Sequence, residues 1–187
     1  MDIMEFGIKS DGLKCCIGSI YMVCIQNNPL ITINNIISKK DALFLNNYLQ
    51  KNHQFFIYEI KVEEINKQAI SDLEFTGILY FTDKIKTLYQ DNFIFNIYIY
   101  KFNNLDKLIE SVADKRFNFI IEPNNLINGA FILAKIIRET YMNSFDLGTG
   151  YSNDPKTKKY LKTINKCNFD KNIVRVNWKN VKQILQV

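Results

Sequence analysis

The sequence predicts an α/β domain in which a mixed sheet is covered by helices, extended at its C-terminal end by basic helices. Three observations point there. Apolar residues switch between the two-residue period of strands and the 3.6-residue period of helices in the order ββ-α-β-α-β-α-β-α. The length of 187 residues is that of one domain, enough to bury roughly two-thirds of the unfolded surface without a disulfide or metal staple. Residues 155–187 are Lys-rich and helical in pattern.

Each element has a local reason. Residues 4–25 alternate and then become continuously apolar; with Gly7, Gly12 and Gly18 among them, they read as two strands joined by a tight Gly-bearing turn. Residues 27–35 form a loop around Pro29, and residues 38–51 place Leu43, Phe44, Tyr48 and Leu49 at helical spacing. Residues 53–62 alternate and are rich in β-formers, which predicts a strand; residues 63–68 form a short helix or turn. Ser71 is an N-cap for a helix over 71–89, with an apolar face of Leu73, Ile78, Phe81 and Ile85. Residues 92–101 (NFIFNIYIYK) are a strand, 104–112 a short helix capped by Asn104, and 118–122 a short buried strand. Residues 128–143 are a helix in which Ala130 and Ala134 are small enough for close packing. After a Gly-rich turn, residues 154–163 and 177–185 read as helices.

Composition excludes several classes. An aromatic fraction of 13% supplies too much apolar surface for a disordered chain, and 7 Gly and 3 Pro exclude collagen-like and linker-like chains. With one His in the chain, zinc enzymes and His-based triads are all but removed; His53 itself reads as a strand-edge residue. Cys15, Cys16 and Cys24 lie in an apolar segment and read as small buried hydrophobes, reduced in a cytoplasmic protein, and no C-x-x-C pair exists. The start MDIMEFG lacks the features of a signal peptide, and no apolar run approaches the ~20 residues that span a bilayer. The net charge is +5, but residues 155–187 carry nine Lys/Arg against one Asp, so they hold +8 and the rest of the chain −3. Such a segment is either a solvated helical face or a phosphate-contacting surface.

Three linked blocks narrow the reading: GAFILAKIIRE (129–139), LGTGYSNDPKTKKYL (147–161) and NIVRVNWKNVKQI (172–184). In this order and at these spacings they resemble the C-terminal half of archaeal-type type 2 ribonuclease H (ribonuclease HII). The rest of the chain is similar with weaker motifs: GIKSDGLKCCIGS (7–19) lies over that family's Gly-Ile-Asp-Glu-Ala-Gly-Arg-Gly signature, ISKK (37–40) over its Asp-Ser-Lys element, SDLEF (71–75) over the start of a central helix, and NIYIYKF (96–102) over the strand bearing its third acid. The resemblance implies a ribonuclease H-like mixed five-stranded sheet flanked by helices, with residues 1–150 as that unit and 151–187 as a basic helical segment packed on it.

It also implies a chemistry. The family cleaves the RNA strand of RNA/DNA hybrids endonucleolytically with two Mg²⁺ or Mn²⁺ ions about 4 Å apart, held by four carboxylates. Carried over position by position, those four acids fall on Lys9, Ser10, Tyr100 and Ile121, none of them a carboxylate. A lysine opposes a divalent ion electrostatically, so no catalytic or metal-binding residue is expected. Asp11 and Glu122 are each one residue away, but a one-residue shift along a strand turns a side chain to the opposite face, and Asp11 reads as a turn residue bonded to local backbone.

Substrate-reading positions are kept in part. The family's Gly-Arg-Gly loop, which meets the ribose 2′-hydroxyl, becomes Gly12-Leu13-Lys14, with Lys14 as a remaining point charge. Tyr151 corresponds to the tyrosine at the ribo-to-deoxy junction, with Gly148, Gly150, Asp154 and Thr157 around it; Ser38 and Lys39 match a phosphate-contacting pair. Lys135 and Arg138 share one helix face and read as exposed, while Arg175 and Trp178 match a late packing element. Three functions follow: an inactive protein that retains weak binding of RNA/DNA hybrid or duplex nucleic acid; a scaffold or accessory subunit that uses the fold for protein contacts; or an active nuclease with relocated acids. No membrane partner is expected.

Overall fold

Alternation of apolar and polar residues builds the sheet, and its two faces take different helices. Strands β1 (Asp2–Asp11), β2 (Ile20–Gln26), β3 (Phe55–Ile60), β4 (Phe93–Ile99) and β5 (Phe117–Ile120) form one sheet in the order β3-β2-β1-β4-β5. β2 is antiparallel to β1 and β3, whereas β1, β4 and β5 run parallel. The helices are α1 (Val62–Ile65), α2 (Ile70–Leu88), α3 (Leu105–Val112), α4 (Asn125–Ser144), α5 (Pro155–Thr163) and α6 (Lys179–Leu185). The computed structural model describes residues 2–27, 55–89, 92–165 and 167–185. The loop predicted around Pro29, the helix predicted over 38–51, Ser38, Lys39 and His53 lie outside them. Among the described residues no helix is long and apolar enough to cross a membrane.

On one face, Phe6, Ile8, Met22 and Ile97 pack with Leu73, Ile78, Phe81 and Ile85 of α2, so the predicted apolar face of that helix is the buried one. Its start differs from expectation. The N-cap is Ala69, without a side-chain bond, and Ser71 is already helical, because Ile70 joins the core cluster and draws the helix one residue earlier. Asn104 precedes α3 as predicted but accepts through its backbone carbonyl rather than its side chain.

On the other face, Ala130 and Ala134 of α4 pack against Tyr21, Val23 and Ile25. The Asn124 side chain starts that helix by accepting from the Leu126 amide at 2.8 Å. Gly7 lets α4 lie directly on β1: a Cβ there would stand 2.4 Å from the Leu126 carbonyl carbon. Gly7→Ala is therefore expected to destabilise the fold by about 1–3 kcal/mol through overpacking, read as a lower urea midpoint at unchanged m.

A third cluster carries the C-terminal segment. Leu161, Ile164, Val174, Val181 and Leu185 pack with Cys16, Ile17, Met142 and Leu147. The connection between β1 and β2 is an eight-residue loop, not the tight turn expected, because this segment holds it open: the Gly18 amide donates to the Ile173 carbonyl and the Arg175 amide to that of Cys16.

Candidate functional site

Parallel pairing gathers the ends of β1, β4 and β5 at one edge of the sheet. Ile8 pairs with Ile99 and Tyr98 with Ile120, so Lys9, Tyr100 and Ile121 each stand one position further along that edge. Lys9 and Tyr100 meet: the ammonium lies 3.9 Å from the ring centroid, and Lys101 approaches the same ring at 5.1 Å. Burial lowers the Lys9 pKa below the usual lysine value, and the Glu74 carboxylate is the main opposing influence. Ser10 is buried and turned to the α2 face, where its hydroxyl donates to Glu74 Oε1 at 2.7 Å. Tyr100 is 43% and Ile121 39% exposed.

A cavity of about 30 Å³, room for a single water, is lined by Lys9, Ser10, Glu74, Tyr100 and Lys101 together with apolar side chains. This donor set does not fit a pair of Mg²⁺ or Mn²⁺ ions, which need several carboxylate oxygens: Glu74 is the one carboxylate in the lining, and an ammonium shares its space. Among the described residues no group of three or more His, Cys, Asp or Glu side chains is placed to hold a metal.

The loop after β1 is built from distant parts of the chain. Gly12 has φ +94°, a conformation that costs little only for glycine, and a Cβ there would lie 2.7 Å from Arg138 Nε. Arg138 is buried rather than exposed as expected, because the helical turn it occupies faces the loop and not solvent. Its Nη1 donates to Asp11 Oδ2 at 3.4 Å, and its Nη2 donates to Cys15 Sγ at 2.6 Å and to the Thr149 carbonyl. Arg175 closes the loop from the other side, with Nε donating to the Gly18 carbonyl and Nη1 to that of Gly12, each at 2.7 Å. Burial is the main cause that pulls its pKa down to about 10. Arg175 thus belongs to the interior, while the lysines at 156, 158, 159, 162, 171, 179 and 182 form the basic surface.

Tyr151 sits on the turn that follows α4. The turn is tied by Asp154, which caps α5 by accepting from the Thr157 amide at 2.9 Å, and by the Thr157 hydroxyl, which accepts from the Gly150 amide and donates to the Leu147 carbonyl. The Tyr151 ring lies 5.3 Å from the Arg138 guanidinium carbon, and its hydroxyl is 3.5 Å from Asp11 Oδ1. Burial, then the neighbouring Cys15 and Asp11, push its phenol up to about 12.

The structure therefore brings Gly12 and Tyr151 together through Arg138 and leaves Lys14 exposed on the same loop. Asp11 is not a turn residue: it closes β1, pairs with Tyr21, and its buried carboxylate is taken by Arg138 and Tyr151. Glu122 is exposed and its charge acts on Tyr98. Lys135 is exposed as expected, 4.0 Å from Glu139. Sequence reasoning missed the Lys101 contact and the Arg138 network. The signal for the second was present, since Arg138 stands in the recognised 129–139 block.

Cys15, Cys16 and Cys24 are buried, as expected; Cys167 is exposed, and all four thiols are free. Burial pushes Cys15 up to about 11. One of the four thiols is therefore expected to react with an aromatic disulfide reagent at pH 8 in the native protein, and all four in guanidinium. Rapid native reaction of a second thiol would contradict the packing of the loop.

No family model matches the chain. Curated relatives do. The ribonuclease HII of Picrophilus torridus is 25% identical over 198 residues, covering 96% of both chains. That of Sulfurisphaera tokodaii is 27% identical over 206 residues, covering 95% of this chain and 94% of the relative. That of Pyrococcus furiosus is 33% identical over 93 residues, 44% of this chain and 42% of the relative. Among solved structures, the ribonuclease H2 of Pyrococcus horikoshii superposes with a TM-score of 0.74 at 18% identity, over 98% of this chain and 97% of that one. The ribonuclease HII of Archaeoglobus fulgidus, solved as a complex with PCNA, gives 0.68 at 19% identity over 94% and 95%. The backbone course and the sequence likeness both run from one end of the chain to the other: the chain has the fold of these structures and is similar in sequence to archaeal ribonuclease HII proteins.

Proposed function

We propose that this chain is a catalytically inactive ribonuclease HII-like protein that retains weak, salt-sensitive binding of RNA/DNA hybrid or duplex nucleic acid. The observation that carries this reading is the Lys9 ammonium seated on the Tyr100 ring, at the two positions on which, by the resemblance, two of the family's metal-binding acids would fall. A fixed positive charge there opposes the ions on which the family's hydrolysis depends. The substrate side is better kept. Gly12, the exposed Lys14 and Tyr151 stand on one assembled loop system, and the exposed C-terminal lysines extend the positive surface. Ser38 and Lys39 belong to the same proposed surface by resemblance. The division into a ribonuclease H-like unit (1–150) and a basic segment (151–187), and a cytoplasmic location, are part of this reading.

Phosphate contacts dominate such binding, so affinity should fall steeply with salt and depend little on sequence. Anisotropy with a labelled RNA/DNA hybrid over a salt series, with and without Mg²⁺, tests it, and a denaturing gel of the same samples reports cleavage. Binding without cleavage, weakened by Tyr151→Ala and Lys14→Gln, is the expected result. Mg²⁺-dependent cleavage would overturn the proposal in favour of relocated acids. Absence of binding at low salt would favour a protein partner instead, a reading supported by the exposure of Tyr100 and Ile121 at the sheet edge and by the PCNA complex of the Archaeoglobus relative.

A further inference from the structure

Resting on the binding reading above, we propose that Lys9 and Lys101 form a phosphodiester site of their own, one that holds a backbone phosphate of the nucleic acid without a divalent ion. An ammonium carries three N–H donors. Among the described residues, Lys9 has the face of the Tyr100 ring as its close partner, an attraction that uses none of those donors on an acceptor atom. The group is half-buried, and burial already weighs against its charge. An anion arriving at the open side would relieve both conditions.

Lys101 supplies a second charge. Its backbone is in the left-handed region, at φ 48°, and this folds the chain back so that its ammonium also reaches the Tyr100 ring. The two like charges disfavour one another, since Lys101 further lowers the Lys9 pKa. The counter-charge at hand is Glu74, which already accepts from Ser10. Two ammoniums against one carboxylate leave a surplus positive charge beside a half-exposed aromatic ring.

Position selects the ligand. β1 runs from Lys9 into the Gly12 loop within three residues, about 10 Å of extended chain, which measured along a duplex axis is roughly three base steps. A backbone that meets Lys14 and Tyr151 therefore passes within reach of Lys9. Lysine binds phosphate as a point charge and imposes no fork geometry, which suits a diester presented in varied sequence contexts.

The test is hybrid binding by anisotropy in EDTA and in Mg²⁺, over a salt series, for the wild type and for Lys9→Gln, Lys9→Arg, Lys101→Gln and the control Lys67→Gln. We expect equal wild-type affinity in both buffers. Lys9→Gln and Lys101→Gln should each weaken binding and flatten the plot of log K against log salt by about 0.7–0.9, while Lys9→Arg and Lys67→Gln stay close to wild type. Lys101 is exposed, so Lys101→Gln reads the site even where Lys9→Gln unfolds. Wild-type slopes for both glutamine variants would overturn this inference and leave the binding reading intact. A requirement for Mg²⁺ in binding would also overturn it. Failure of the wild type to bind at low salt would remove the inference and the reading together.

Discussion

Arg138→Ala is expected to cost about 3–5 kcal/mol of stability, the range for removing one partner of a buried ion pair. Arg138 is 1% and Asp11 4% exposed, and the pair closes at 3.4 Å. The substitution strands the Asp11 carboxylate in the interior with the Tyr151 hydroxyl as its remaining partner, at 3.5 Å. It also removes the donors to Cys15 and Thr149, leaving the Thr149 carbonyl without its guanidinium. The space it empties is the space that Gly12 and Gly150 leave open, because a Cβ at either would stand within 2.8 Å of the Arg138 side chain. Urea unfolding of Arg138→Ala, Asp11→Ala and the double variant measures this directly. The double variant should lose less than the sum of the singles, since it strands no carboxylate. Additivity would mean that the pair does not act as a unit.

The second large effect concerns metal binding. The wild type is expected to show no heat of Mg²⁺ or Mn²⁺ binding attributable to the sheet edge. The variant Lys9→Asp/Ser10→Glu/Tyr100→Asp/Ile121→Asp should bind either ion in the millimolar range or tighter. The argument is Coulombic. A divalent ion about 4 Å from the Lys9 ammonium meets a repulsion on the order of 8 kcal/mol at an effective dielectric constant of 20. That is more than five decades of affinity. Lys9→Asp reverses this sign, and the other three changes add oxygen ligands to Glu74, the carboxylate already there. Metal binding by the wild type, or hybrid cleavage in Mg²⁺, would show that the four acids are misplaced in the correspondence.

How much of this was legible in the sequence follows from how local each feature is. β3 and β4 alternate within themselves, and α4 carries its small residues at helical spacing, so these elements were found close to their observed bounds. The β1–β2 connection was misjudged because its length is set from afar. The carbonyls of Gly150 and Ile173 receive the Cys16 and Gly18 amides, and Arg175 bonds the carbonyls of Gly12 and Gly18. No window of ten residues contains that information. Lys9 and Tyr100 were singled out one at a time by resemblance. Their contact exists only because β1 and β4 pair in parallel across some ninety residues of sequence. The burial of Arg138 escaped for a related reason: spacing names the residues that share a helix face, but not what lies opposite that face.

The Arg175 bonds to Gly12 and Gly18 span 163 and 157 residues of chain. The loop is thus completed by a residue translated some 160 positions after it. At synthesis rates of about 5–20 residues per second, the loop waits about 8–30 s for its closing side chain. Local hairpins form in microseconds. On the ribosome the protein would therefore pass through a stage in which the sheet is largely translated while the Gly12 loop still lacks Arg175. The order of assembly runs against the order of translation: a loop made well before Arg175 takes its final shape only after Arg175 arrives.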